Sequence, residues 1–237
     1  MRRFLSIVVA VVMLVAVCSP VLTANAAGFK DVAASYWAFD EITALASKKV
    51  VAGYADGTFK PEGKVTREEF AKMIVVAKGL ALVKPAKASF TDVAASRWSY
   101  GYVEAAAKAG YIKGIGGGKF APAAPIKRQD MAILLVRAVG KEQAALSAPV
   151  KAVFSNDEAS VGAYALPHLA YAVSPAAQFL LWDVKRNINP VSSATRAECA
   201  HGIYMSLFPP KQGGNLSMAL TENPDSLFSP LLTLMTA

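Results

Sequence analysis

Two cysteines and two histidines are all the thiol and imidazole that 237 residues supply. Cys18 and Cys199 have no further cysteines to build a disulfide scaffold, and with His168 and His201 they fall short of a structural zinc set. So few histidines also exclude histidine-based triad or metal chemistry. Charge is sparse, at 18% of residues, and no basic stripe with interleaved aromatics is present, which excludes a nucleic-acid partner. What remains is 54% hydrophobic, with 16 glycines and 13 prolines, the composition of a folded chain.

The N-terminus reads as an export signal. Arg2 and Arg3 precede an apolar run from Phe4 to Val17, and Ala24-Asn25-Ala26 offers the small residues of a cleavage site. That run of about 14 residues is short of the roughly 20 needed to cross a bilayer, and no later stretch reaches that length. Residues 1–26 are therefore expected to be removed, leaving an exported chain without a transmembrane span. A lipid anchor on Cys18 is the rival reading; Val15-Ala16-Val17-Cys18 has a bulky residue where such signals carry a small one. Cleavage removes two arginines and no acid, taking the formal charge from +8 to +6. Mild basicity suits an anionic polymer, or it simply solubilises an alanine-rich surface.

Internal repetition carries most of the information. Phe29-Lys30-Asp31-Val32-Ala33-Ala34-Ser35-Tyr36-Trp37 returns as Phe90-Thr91-Asp92-Val93-Ala94-Ala95-Ser96-Arg97-Trp98, 61 residues later. The same offset links Gly53 to Gly114, Phe59 to Phe120, Pro61 to Pro122 and Arg67 to Arg128, without a gap. A worn third copy begins at Phe154; Tyr164 matches Tyr100, and Ile188, Pro190 and Arg196 match Phe120, Pro122 and Arg128. It is expected to have lost the tryptophan, the Asp-Val pair and the glycine turn.

Each copy predicts a helix, a turn and a second helix. Ala38, Ile42 and Leu45 make a helical stripe, and Gly53-Tyr54-Ala55-Asp56-Gly57 has turn chemistry. Thr66-Arg67-Glu68-Glu69 then fits a capping box, with Phe70, Met73, Ile74 and Ala77 on one face and a stop at Gly79. Met131, Leu134, Leu135 and Ala138 repeat that face before Gly140; Cys199, Gly202, Ile203 and Ser206 do so behind Thr195 and Glu198. Two helices per copy cannot bury both apolar faces alone. The expected fold is mainly α: three helix-turn-helix repeats packed as one pseudo-threefold helical domain, with the second helices forming the shared core. The expected boundaries are 27–82, 83–145 and 146–208, with a tail at 209–237.

These motifs resemble the S-layer homology family. Phe29, Asp31, Val32, Trp37, Gly53, Asp56, Gly57, Phe59, Pro61, Thr66, Arg67 and Glu69 follow its pattern. The second copy follows it until Lys127-Arg128-Gln129-Asp130 replaces the family's Thr-Arg-Ala-Glu; the third keeps Thr195-Arg196-Ala197-Glu198 intact. The resemblance covers about three-quarters of the chain. It implies non-covalent anchoring of an exported protein on the bacterial wall, through a peptidoglycan-linked secondary polysaccharide that often carries pyruvate ketals. It implies too that three repeats form one binding unit with grooves between neighbours.

Arg67, Arg128 and Arg196 are the leading candidates for binding. Each sits just inside a helix start, where amides and the helix dipole favour an anion, and a guanidinium fork grips a carboxylate. The alternative is a solvated arginine. Lys127 adds charge beside Arg128 at the expense of a helix cap. Trp37 and Trp98 offer a face for a sugar ring, or pack beneath the first helix as core. Glu69 and Glu198 read as capping residues, and Asp31 and Asp92 as local turn or cap residues.

Other signals fail. Gly114-Ile115-Gly116-Gly117-Gly118-Lys119-Phe120 is one residue short of a phosphate loop and has Phe where a hydroxyl should meet magnesium. Asp56-Gly57 lacks the alternating acids of a calcium loop. Cys199 lies on the core stripe, and Cys199 and His201, two apart on a helix, point in different directions. No cofactor or metal is expected. The reading is a non-enzymatic wall-binding module at the cell surface, its partners the wall polysaccharide and, beyond it, another envelope protein. The alternatives are a self-associating envelope protein with vestigial sugar binding and a wall-active hydrolase.

Overall fold

The computed structural model describes residues 28–148 and 156–209. The expected signal at 1–26, Phe154 at the head of the third copy, and nearly all of the tail lie outside the described residues. Seven α-helices are present among those described: α1 Phe39–Ser47, α2 Arg67–Ala77, α3 Tyr100–Lys108, α4 Arg128–Ala138, α5 Glu142–Ser147, α6 Leu166–Ala172 and α7 Arg196–Leu207. The fold is mainly helical. The short α5, carried by Glu142-Gln143-Ala144-Ala145 between the second and third repeats, has no equivalent in the other copies and was not expected from the repeat.

The second helices start where their sequence says. Thr66 and Thr195 accept a hydrogen bond from the N3 amide, while Glu69 and Glu198 reach back to the cap amide. Lys127 has the same extended backbone but supplies no side-chain cap. Lys127→Thr is expected to raise stability by about 1 kcal/mol, since a missing cap costs about that much; a rise in urea midpoint at constant slope measures it.

Helix pairing departs from the repeat unit. The two helices of one copy do not pack on each other; α3 packs on α2, α6 on α4, and α1 on α7, so each first helix lies against the second helix of the preceding copy. The second helices α2, α4 and α7 also pack together, burying Phe70, Ile74, Met131, Leu135, Cys199 and Ile203. The ring therefore closes through the third copy, and no copy can bury its apolar faces without both neighbours.

On the axis the backbones form a triangle. Val65 N donates to Ala194 O at 3.2 Å, Ala194 N to Ile126 O at 2.8 Å, and Ile126 N to Val65 O at 2.8 Å. All three residues are buried, so each bond replaces one that water would otherwise have made. Isolated antiparallel bridges Lys64 to Thr195, Thr66 to Pro125 and Lys127 to Ser193 repeat the symmetry around it.

Candidate functional site: the seams between repeats

Each repeat holds its inter-helix loop with one aspartate. Asp31 accepts from the amides of Phe59 and Lys60, both at 2.7 Å, and Asp92 from Phe120 and Ala121, both at 2.8 Å. Both lie in turns, as the sequence suggested, but their carboxylates act at long range, on partners 28 and 29 positions away. The third copy keeps the device too, against expectation. Asp157 accepts from Ile188 N at 3.1 Å and Asn189 N at 2.6 Å. An extra residue between Phe154 and Asp157 hid it from a gapless comparison. The clamped residues Lys60, Ala121 and Asn189 have φ of 58°, 56° and 54°, the left-handed conformation, which the carboxylate offsets by fixing two consecutive amides. Burial pushes the Asp31 and Asp92 carboxyls up, but the amide hydrogen bonds outweigh it and hold both below the ordinary value.

The loops so held deliver carbonyls to the next arginine round the ring. Arg67 Nε donates to Phe120 O at 2.8 Å, Arg128 Nε to Ile188 O at 2.6 Å, and Arg196 Nε to Phe59 O at 2.7 Å. Arg128 also donates to Leu181 O and Arg196 to Ala52 O, each at 2.7 Å. All three guanidinium groups thus lie in seams between neighbouring repeats, and Arg67 and Arg128 are buried. The helix starts do not face solvent with bare amides as the sequence reading supposed. Arg67 N, Arg128 N and Arg196 N donate to Ala124 O, Ser192 O and Gly63 O, and the following amides donate to Pro122 O, Pro190 O and Pro61 O. The positive helix end is answered by the next repeat.

The seams differ in what else they carry. In the first, Arg67 faces Asp130 at 3.3 Å, and Tyr164 OH donates to Asp130 at 2.8 Å. Burial and the Asp130 carboxylate push the Tyr164 hydroxyl up to about 12. A cavity of about 430 Å³ opens there, lined by Arg67, Lys113, Asp130, Arg137 and Tyr164. Lys113 and Arg137 share Glu142, whose carboxyl they hold at about 2 against the upward push of burial. His168 is buried on α6 with its nearer nitrogen 3.5 Å from Glu142, and burial and Arg137 push its pKa down.

In the second seam Arg128 pairs with Glu198, and a cavity of about 160 Å³ is lined by Trp37, Glu62, Trp182, Asp183, Glu198 and His201. His201 Nδ1 lies 3.2 Å from Glu41 and Nε2 3.2 Å from Gln178 O, while Cys199 is fully buried, its thiol pushed well up by burial. The third seam sets Arg196 over the rings of Phe59 and Tyr54, at 4.4 and 5.1 Å.

The two tryptophans differ: Trp37 packs at the edge of the core and Trp98 stands outside it. Trp37 is half-buried against Tyr36 and His201, and Trp98 is 54% exposed beneath Lys72. Lys127 is exposed at the start of α4. Sequence reasoning missed the acids Asp130 and Glu198 as arginine partners. Their recurrence at the third position of the second helices was the available signal. It also missed Glu68, buried on α2, whose carboxylate grips Arg97 of the next repeat at 2.6 and 2.8 Å.

Among the described residues no group of three His, Cys, Asp or Glu could hold a metal ion, and no helix is long and apolar enough to cross a membrane.

The S-layer homology domain model matches residues 28–71 and 89–132, the first two repeats through the start of their second helices. An S-layer protein of Bacillus thuringiensis subsp. finitimus is 41% identical over 126 residues, covering 53% of this chain and 15% of that protein. An uncharacterized cell wall amidase of Bacillus anthracis is 42% identical over 102 residues, 43% of this chain and 19% of the amidase. An endoglucanase of Bacillus sp. (strain KSM-635) is 31% identical over 172 residues, 69% of this chain and 18% of the enzyme. The chain therefore spans less than a fifth of the length of each of these relatives. Two repeats that match the family model, closed into a ring with a third of the same geometry, place residues 28–71 and 89–132 among the S-layer homology domains.

Proposed function

We propose that the chain anchors to the wall by binding an anionic, peptidoglycan-linked secondary polysaccharide in the seams between its repeats. The supporting observation is the seam itself, where an arginine, a neighbouring loop and an aromatic side chain from the remaining repeat converge. Tyr164 takes this place beside Arg67, and Trp37 beside Arg128. Aromatic faces and hydrogen-bonding groups at the rim of a cleft suit a sugar ring bearing a carboxylate. Lys127 stands near the Arg128 seam as a further cation. Self-association as an envelope protein is the second reading, favoured by relatives named S-layer proteins.

The acids do not favour hydrolysis. Glu68 is held by Arg97, Glu69 caps α2, and Asp130 is bound by Arg67 and Tyr164, so no two of them face each other across a free cleft as glycoside hydrolysis requires. The deciding measurement is co-sedimentation with sacculi before and after the secondary polymer is stripped. Pelleting should depend on the polymer. Equal pelleting with stripped sacculi would favour self-association, and soluble muropeptide or sugar would reveal an enzyme.

A further inference from the structure

We infer that the anionic unit of the polymer seats in the third seam, where the worn repeat closes onto the first; this rests on the wall-binding reading above. The three seams share a backbone plan but not a charge pattern. Arg67 spends a terminal nitrogen on Asp130, and Arg128 spends one on Glu198. The residue in phase with those acids for Arg196 is Glu69, whose carboxylate instead holds the Thr66 amide and hydroxyl at 2.7 and 2.8 Å. Arg196 uses Nε and Nη2 on carbonyls, and its Nη1 meets no carboxylate among the described residues. Its charge is the one of the three left unneutralised by an acid.

The surrounding residues change in the same direction. Threefold rotation from the second seam to the third carries Glu62 to Ala123, Asp183 to Tyr54, Asn189 to Lys60 and His201 to Lys72. At these four positions two acids are lost and two lysines gained, while the same rotation replaces Lys185 by Asp56. The rotation also carries Trp37 to Trp98, so an aromatic face is kept. Lys72 Nζ lies 5.9 Å from the Trp98 ring, with no acid at ion-pair distance among the described residues. Lys60 Nζ stands 4.3 Å over Tyr54 and 3.8 Å from Asp56 in an exposed pair. Trp98 and Tyr54 are 54% and 45% exposed, so both rings are reached from solvent beside these cations.

In the first seam the positions of Lys72 and Tyr54 are held by Ile133 and Ile115, and Lys113 and Arg137 there are already bound to Glu142. The second seam is acidic. An anion entering either must compete with a carboxylate already paired with the seam arginine, whereas the third offers a guanidinium nitrogen and the Lys72 ammonium beside two rings, with Lys60 held only by the exposed Asp56. The repeat least like the family pattern supplies the arginine.

The test measures apparent affinity of the full chain for polymer-bearing sacculi by co-sedimentation. Lys72→Glu and Trp98→Ala each alter an exposed side chain, and each should weaken binding by about tenfold or more, the size of one lost charge-assisted contact. Lys72→Arg should restore it. Lys108→Glu, an exposed reversal on α3 outside the seam, should change affinity less than about twofold. Thermal unfolding within a few degrees of wild type certifies each variant as folded. Wild-type binding by Lys72→Glu and Trp98→Ala would overturn the seam assignment while leaving wall binding intact. Equal losses in Lys72→Glu and Lys108→Glu would overturn it too, by showing a net-charge effect. Failure of the unaltered chain to depend on the polymer would instead overturn the wall-binding reading itself.

Discussion

Arg128→Ala should lower the unfolding free energy by about 3 kcal/mol, measured as a fall in urea midpoint at unchanged slope. The side chain is 7% exposed and is held by the carbonyls of Ile188 and Leu181 and the carboxylate of Glu198. Truncation leaves two carbonyls without a donor and a carboxylate without its cation, and an unpaired buried group costs more than its bond was worth. The bonds cross from the second repeat to the third, so the loss falls on ring closure. Arg128→Lys should recover less than half, because one ammonium cannot reach three acceptors arranged around a planar fork. Lys127→Ala, one residue away but exposed, should shift stability by less than about 0.5 kcal/mol. A loss below about 1 kcal/mol in Arg128→Ala would show that closure does not rely on the guanidinium. Loss of wall binding in arginine variants must accordingly be read beside their stability.

The second large effect is expected at Asp92. Asp92→Ala should cost about 2 kcal/mol, because two adjacent amides lose a charged acceptor and Ala121 loses what holds it at a φ of 56°. Phe120, which follows the same carboxylate, is completely buried and packs on Phe90, so a loosened loop also disturbs the core. The sign with pH follows from the lowered carboxyl pKa. Folding favours the ionised form, so its stabilisation is complete above the ordinary aspartate value of about 3.9 and is lost as pH falls through the lower folded-state value. Asp31 shifts the same way. Wild type should lose stability on acidification below about pH 4, and Asp92→Ala should lose less over that range. Equal acid sensitivity in both would rule out the clamp as a source of it.

Much of this site was legible because repeats expose function by recurrence. Three arginines in phase pointed to one structural position used three times, and the capping boxes at Thr66 and Thr195 could be read because their partners lie three residues away. The clamp was not legible. Asp31 looks local in sequence, yet its partners are amides, which carry no side-chain signature, and in the third copy a one-residue insertion shifted it out of register. The arginine partners were hidden for a similar reason. Glu198 serves both as a cap to its own helix and as counterion to Arg128, and sequence shows the first role only. The differences among the seams emerged only after rotation brought Glu62, Ala123, Lys72 and His201 to comparable places.

Periodicity alone decided that the chain is helical, that it is threefold repetitive, where the second helices begin and which of their faces are apolar, since each of these depends on neighbours within a turn or two. Only the tertiary structure decided which helix meets which. A first helix has apolar surface that any second helix could cover; its own is held apart by an extended loop that Asp31, Asp92 or Asp157 ties down, so it packs on the preceding copy instead. That choice turns three copies into a ring, buries the arginines between them, and lets one seam differ from another in charge.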